Sequence, residues 1–171
     1  IEAGFQLTAD GLHQEVTAIN ESAVPAPIGL GGHPYLLAGT LAPHAIDDWL
    51  LQVPAGQVQC VSPDRMLPVS REPVATHAEG ALDFRRARQL GETRINNAFT
   101  SLLRDDHGST RVQLTQPDGT GTEIVLDDRC SWVQIYTADG EPGDGARYGL
   151  AVEPMTCPAD AMNSGVDLRI L

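Results

Sequence analysis

Apolar and polar residues alternate along several short runs of the chain, the two-residue period of a half-buried β-strand. Phe5 to Thr8 and His13 to Ile19 flank Asp10-Gly11, a dipeptide that supplies the positive φ of a tight hairpin, so these runs are expected to pair antiparallel. Pro25 and Pro27 exclude a central strand, after which Ile28 to Gly32 is read as an extended segment ending at His33-Pro34-Tyr35. Trp49 to Val53 and Gln57 to Val61, separated by Pro54-Ala55-Gly56, read as strand, turn and strand. Residues 62–97 are less regular. Asp83 to Gly91 carries helix formers without an apolar stripe at helical spacing and reads as a loop with at most a short turn.

Alternation resumes at Phe99 to Leu103, Thr110 to Thr115 and Thr122 to Leu126, with Asp118 to Gly121 turning between the last two. Trp132 to Thr137 and Tyr148 to Glu153 follow, joined by a loop of Gly, Pro and Asp. Short strands at this spacing predict an all-β fold, an antiparallel β-sandwich. A length of 171 residues suits one domain with a sizeable core, taken here as 1–171. No internal repeat, low-complexity tract or linker interrupts it.

Composition narrows the partners. Eleven basic residues against twenty-three acidic ones give a formal charge of −12, which repels phosphate backbones and anionic lipid headgroups. Neither nucleic acid nor a membrane is an expected partner, and no run approaches the roughly 18–20 apolar residues of a membrane span. A neutral ligand is compatible with that field. Cys60, Cys130 and Cys157 form no CxxC pair and leave one over, which fits reduced thiols in a cytoplasmic protein better than a disulfide framework.

Two clusters carry candidate chemistry. In Gly31-Gly32-His33-Pro34-Tyr35 the glycines permit close backbone approach, and Pro34 biases His33 toward an extended conformation at a strand end. Its imidazole, with a reference pKa of about 6.5, can give or take a proton near neutrality. Taken alone, the same histidine fits a structural or surface position. In Gly149-Leu-Ala-Val-Glu153-Pro-Met-Thr-Cys-Pro158 a carboxylate ends an apolar run with no basic neighbour in sequence. Facing a cleft, Glu153 would be desolvated toward the range of a general base; facing water, it is an ordinary acidic strand end.

Other chemistries find less. His13, His44, His77 and His107 show neither HxH nor HExxH spacing, so no metal site is expected from spacing. The glycines at 29–32 lack the GxGxxG pattern of a dinucleotide fold, and no GxSxG elbow is present. Trp49 and Trp132 could stack on a sugar face or belong to the core.

Together the clusters resemble the aldose 1-epimerase (galactose mutarotase) family, in which Gly-x-Gly-x-His-Pro-Tyr precedes Gly-Leu-Ala-x-Glu-Pro-x-Thr-x-Pro. Here these stand as Gly29 to Tyr35 and Gly149 to Pro158, the second motif continuing to Gly165. Leu82 to Arg85, the Phe99 segment and Trp132 to Thr137 follow the family's course between them. The resemblance implies a galactose mutarotase-like supersandwich, read here as the carboxyl-terminal portion of one and incomplete at both ends.

The resemblance also implies interconversion of the α and β anomers of free hexoses such as glucose and galactose, without a cofactor. It makes His33 the general acid, Glu153 the general base, and Asn96 and Tyr35 substrate-binding residues. Asn96 stands where the family usually carries a substrate-binding Asp, and an amide gives up the stronger charge-assisted contact. The family's Arg and second His would lie upstream of Ile1, and its final strand beyond Leu171. Two alternatives remain open: a carbohydrate-binding relative without turnover, and a hexose-phosphate epimerase using Arg85, Arg86 and Arg88.

Overall fold

In the computed structural model, residues 1–139 and 146–171 are described, and every strand pairing among them is antiparallel. The Gly, Pro and Asp loop expected before Tyr148 lies at 140–145, outside the described residues.

The larger of two main sheets has six strands. They are β4 (Tyr35–Leu36), β13 (Leu150–Met155), β12 (Trp132–Tyr136), β9 (Asn96–Leu102), β6 (Ala55–Val61) and β7 (Pro68–Pro73), in that spatial order. The second sheet orders β11 (Gly121–Leu126), β10 (Thr110–Thr115), β5 (Leu50–Gln52) and β8 (Arg88–Gln89). Val58, Phe99, Val133, Ile135, Leu150 and Val152 of the larger sheet meet Leu51, Val112, Leu114 and Leu126 of the smaller in one buried cluster. Each such side chain contributes on the order of 1.5–3 kcal/mol by leaving water, so this interlayer core is what holds the sandwich. Trp49 and Trp132 are both buried, which removes them as stacking platforms for a ligand. Trp132 is anchored instead by its indole N–H, which donates to Asp167 at 2.8 Å.

The expected hairpin at the start forms as β1 (Glu2–Thr8) and β2 (Gly11–Thr17), with Thr8 paired to Gly11 across the turn and Gly11 at φ 130°. It stands as a separate ribbon with Phe5, Leu7 and Leu12 exposed. The prolines confine the next pairing to β3 (Pro27–Ile28), matched by β14 (Arg169–Ile170).

The structure corrects three readings. Trp49 to Val53 and Gln57 to Val61 contain strands, but β5 and β6 do not pair; Pro54 links one sheet to the other. Ala55 and Gly56, read as part of a turn, already belong to β6, and a strand, turn and strand in sequence leaves the pairing partners open. Here the apolar residues on both sides of Pro54 are better buried against opposite layers. Residues 62–97, read as irregular, contain β7, which is exposed along most of its length and so lacks an apolar alternation. Residues 83–91 include the short strand β8, paired to β5 at Leu50 and Leu51.

Candidate active site

The outer face of the six-stranded sheet forms the floor of an open cleft of about 740 Å³. Strand alternation decides which side chains reach it. Along β13, Leu150 and Val152 enter the core while Glu153 is delivered to the cleft; along β12, Val133 and Ile135 go inward and Gln134 and Tyr136 outward. Register then brings outward residues together: Gln134 lies opposite Glu153 on one side and Ala98 on the other, and Tyr136 lies opposite Asn96.

His33 arrives from outside the sheet. The segment before it runs along β13, with Gly31 bridged to Met155, the Gly32 N–H donating to the Pro154 carbonyl at 3.0 Å, and the Val152 N–H donating to that of Pro34 at 3.1 Å. Such close approach requires glycine. A Cβ on Gly31 would sit 3.0 Å from the Pro154 carbonyl oxygen, and one on Gly29 only 2.5 Å from Cys157 Sγ. Gly31 therefore seats the segment against β13 and Gly29 against Cys157 just beyond it; at Gly32, expected to allow approach to a ligand, a Cβ would meet nothing nearer than 3.8 Å, at Gln14 and Pro34.

The result places His33 Nε2 3.2 Å from Glu153 Oε1. The two side chains differ in exposure, 55% for His33 and 15% for Glu153, so the carboxylate lies at the cleft floor and the imidazole at its rim. Burial pushes the Glu153 carboxyl above its ordinary value, and the nearby imidazole works against that rise. The Tyr35 ring stacks on His33 with centroids 5.3 Å apart and planes 28° apart, limiting the swing of the imidazole. Tyr35 thus meets His33, but it does not line the cleft.

Asn96 borders both the cleft and an adjoining lobe of about 390 Å³, and its Oδ1 accepts a 2.7 Å hydrogen bond from Gln134 Nε2. Gln134 touches this amide, faces Glu153 across the strand pair, and was not singled out from sequence. Its place in an alternating strand was the only signal, and that signal is shared by every outward residue.

Arg147 was missed as well. It is buried, with Nε 2.5 Å from Asp47 Oδ1 and Nη1 2.6 Å from Asp139 Oδ1, and it donates to the carbonyls of Gly91 and Thr93. Asp139 in turn accepts from Thr137 Oγ1 and lines the lobe beside Asn96. The arginines weighed for a phosphate are occupied elsewhere: Arg85 pairs with Asp83 at 2.7 Å, and Arg88 lies over the Phe84 ring at 3.8 Å. None of Arg85, Arg86 and Arg88 lines the cleft or its lobe.

The fold is thus an antiparallel sandwich that brings a histidine and a partly buried carboxylate into contact on an open sheet face, a geometry suited to proton transfer. The chain belongs to the aldose 1-epimerase family, whose model matches residues 1–171. It is 33% identical over 163 residues to the uncharacterized Escherichia coli K12 protein YihR, covering 94% of this chain and 47% of that protein. A solved Escherichia coli K12 structure, provisionally described as an aldose 1-epimerase, superposes with a TM-score of 0.72 at 25% identity, over 99% of this chain and 54% of its own. The GalM/aldose epimerase homologue from C. elegans shares the fold, with a TM-score of 0.59 at 18% identity, over 77% of this chain and 42% of its own. The chain spans about half the length of these relatives. Among the described residues, no helix is long and apolar enough to cross a membrane.

Proposed function

We propose that this chain supplies the acid–base pair of an aldose 1-epimerase acting on free hexoses, with Glu153 as base and His33 as acid. The observation that carries the reading is the 3.2 Å contact between the two groups at the cleft. Anomerisation requires a proton to leave the anomeric hydroxyl and another to reach the ring oxygen. Both oxygens are bonded to the same carbon, so the acid and the base must converge on nearly one point. Glu153 takes the hydroxyl proton as the C1–O bond of the ring breaks, and His33 delivers a proton to the departing ring oxygen. Rotation about C1–C2 and the reverse transfers close the ring as the other anomer. Asn96, paired with Gln134, binds a sugar hydroxyl through its amide, and Tyr35 acts by holding the His33 ring. The acidic surface suits a neutral substrate, and the proposed setting is the cytoplasm.

Polarimetry on the full-length protein with α-glucose and α-galactose tests this. Glu153→Gln is expected to lower kcat/KM by about 10²–10⁴, the usual contribution of a positioned general base. Wild-type anomerisation by Glu153→Gln or by His33→Ala sinks the assignment. Sugar binding seen by calorimetry in a wild-type protein without accelerated anomerisation would instead favour a binding protein, a reading suggested by the uncharged Asn96.

A further inference from the structure

On the reverse side of the cleft wall, three side chains of metal-ligand type converge. Cys60 lies on β6, Glu72 on β7, and His77 in the short 3₁₀ turn at His77–Gly80. Their donor atoms all lie within 4.8 Å of one another. His77 Nδ1 is 3.6 Å from Cys60 Sγ and 2.9 Å from Glu72 Oε2.

Local structure accounts for the convergence. In the β6–β7 hairpin Cys60 pairs with Ser70 and Val58 with Glu72, so the two-residue period places Cys60 and Glu72 on one face. The register shifts between Cys60 and Val61, a bulge that re-aims the end of the strand. Gln59 and Val61 take the opposite face and line the cleft. The chain leaves β7 at Pro73 and turns back so that His77 closes over the Cys60 face.

An ion pair of His77 with Glu72 explains only part of this arrangement. Without an ion, the Nδ1 proton serves Glu72, and the Cys60 thiol contributes only a weak S–H donor toward the same carboxylate. A cation satisfies all three donors at once. In a tetrahedral zinc site, with Zn–S about 2.3 Å and Zn–N about 2.0–2.1 Å, the sulfur and nitrogen stand roughly 3.5 Å apart. The observed separation is 3.6 Å. The nitrogen and carboxylate oxygen would stand roughly 3.4 Å apart, so the 2.9 Å hydrogen bond has to open by about half an ångström, within reach of a half-exposed Glu side chain.

We propose that Cys60, Glu72 and His77 form a divalent-metal site with zinc as its ion, water completing four-coordination, and that the bound ion clips the edge hairpin β6–β7 to the 77–80 turn. A sulfur, nitrogen and oxygen donor set matches zinc; calcium and magnesium take oxygen ligands. The site stands apart from His33 and Glu153 and does not depend on the proposed epimerisation.

The test is zinc titration by calorimetry and cobalt(II) substitution followed by absorption, on purified, reduced, tag-free protein. About one equivalent of metal is expected, with a thiolate-to-cobalt charge-transfer band in the near ultraviolet. Cys60→Ser should abolish the band. Glu72→Gln and His77→Gln should weaken zinc binding by at least the roughly 10-fold to 100-fold that loss of a mere outer partner costs. No binding by wild type, or a band that survives Cys60→Ser, overturns the proposal. Should Cys60→Ser fail to fold, wild-type zinc affinity in folded Glu72→Gln or His77→Gln overturns it equally.

Discussion

Replacing Gly31 with alanine separates two opposing effects on the seating of His33. Gly31 does not adopt a positive φ, so alanine meets no backbone penalty and gains about 0.4–1 kcal/mol by restricting the unfolded chain. Against this, its Cβ would lie 3.0 Å from the Pro154 carbonyl oxygen and 3.3 Å from Met155 Cγ, where ordinary contact begins at 3.4 Å. The methionine can rotate away, but the carbonyl belongs to β13 and is held in the sheet by its pairing with β12. The segment at 29–33 must therefore move outward by about 0.4 Å, a clash of the kind that costs about 1–3 kcal/mol in a packed setting. The clash wins, leaving a net loss on the order of 1 kcal/mol, or about 2–4 °C in Tm for a chain of this size.

The same displacement acts on the site. Carried through to the imidazole, it lengthens the 3.2 Å contact between His33 and Glu153 to about 3.6 Å, beyond hydrogen-bond range. Since misplacement by about 1 Å can cost about 10² in rate, kcat/KM for anomerisation should fall by several-fold to tenfold. Calorimetric melting and polarimetry on the same preparation read both effects. A Tm equal to or above wild type with full activity would refute the claim that Gly31 is needed for close approach to β13.

Further outcomes follow from the site's electrostatics and packing. Glu153 must be ionised to act as a base, and burial raises its pKa, so the acid limb of kcat/KM should lie above the ordinary carboxylate value of about 4.3. His33→Ala removes the opposing influence and should move the Glu153 titration, followed by NMR, to still higher pH; no upward movement contradicts the coupling. The sign for stability follows the raised pKa: the Glu153 contribution is present at low pH and is lost as pH rises through the folded value. Glu153→Gln should therefore be at least as stable as wild type at pH 7, and a lower Tm there counts against a desolvated carboxylate. Arg147→Met leaves Asp47 and Asp139 without their buried partner and should cost about 3–5 kcal/mol in denaturant unfolding; a loss under 1 kcal/mol would mean that the carboxylates find other compensation. Asn96→Asp restores a charged acceptor at the cleft and should lower KM for a neutral hexose by roughly fivefold, the difference of about 1 kcal/mol between neutral and charge-assisted hydrogen bonds. An unchanged or higher KM would remove Asn96 from the sugar contacts.

Much of the architecture was legible because short-range periodicity and burial are the same physical fact in an antiparallel sheet. The strands at 110–115 and 121–126 and the first hairpin follow from alternation and turn residues alone. Strand β7 was not legible, since an exposed edge strand has no apolar face to reveal it. The partners of β5 and β6 were not legible either, because the choice of layer on each side of Pro54 depends on which apolar surfaces are available across the core.

The site divides along the same line. The chain itself determined which residues could carry proton chemistry, His33 and Glu153 within their glycine and proline settings, together with the acidic charge that suits a neutral ligand. Only the tertiary structure decided that residues 120 positions apart lie 3.2 Å from each other, that Gly29 and Gly31 make this possible, and that Gln134, Arg147 and the Cys60, Glu72 and His77 group stand where they do. Residue type is a local property. Proximity between distant residues is set by strand order and register, which emerge when two sheets settle against one core.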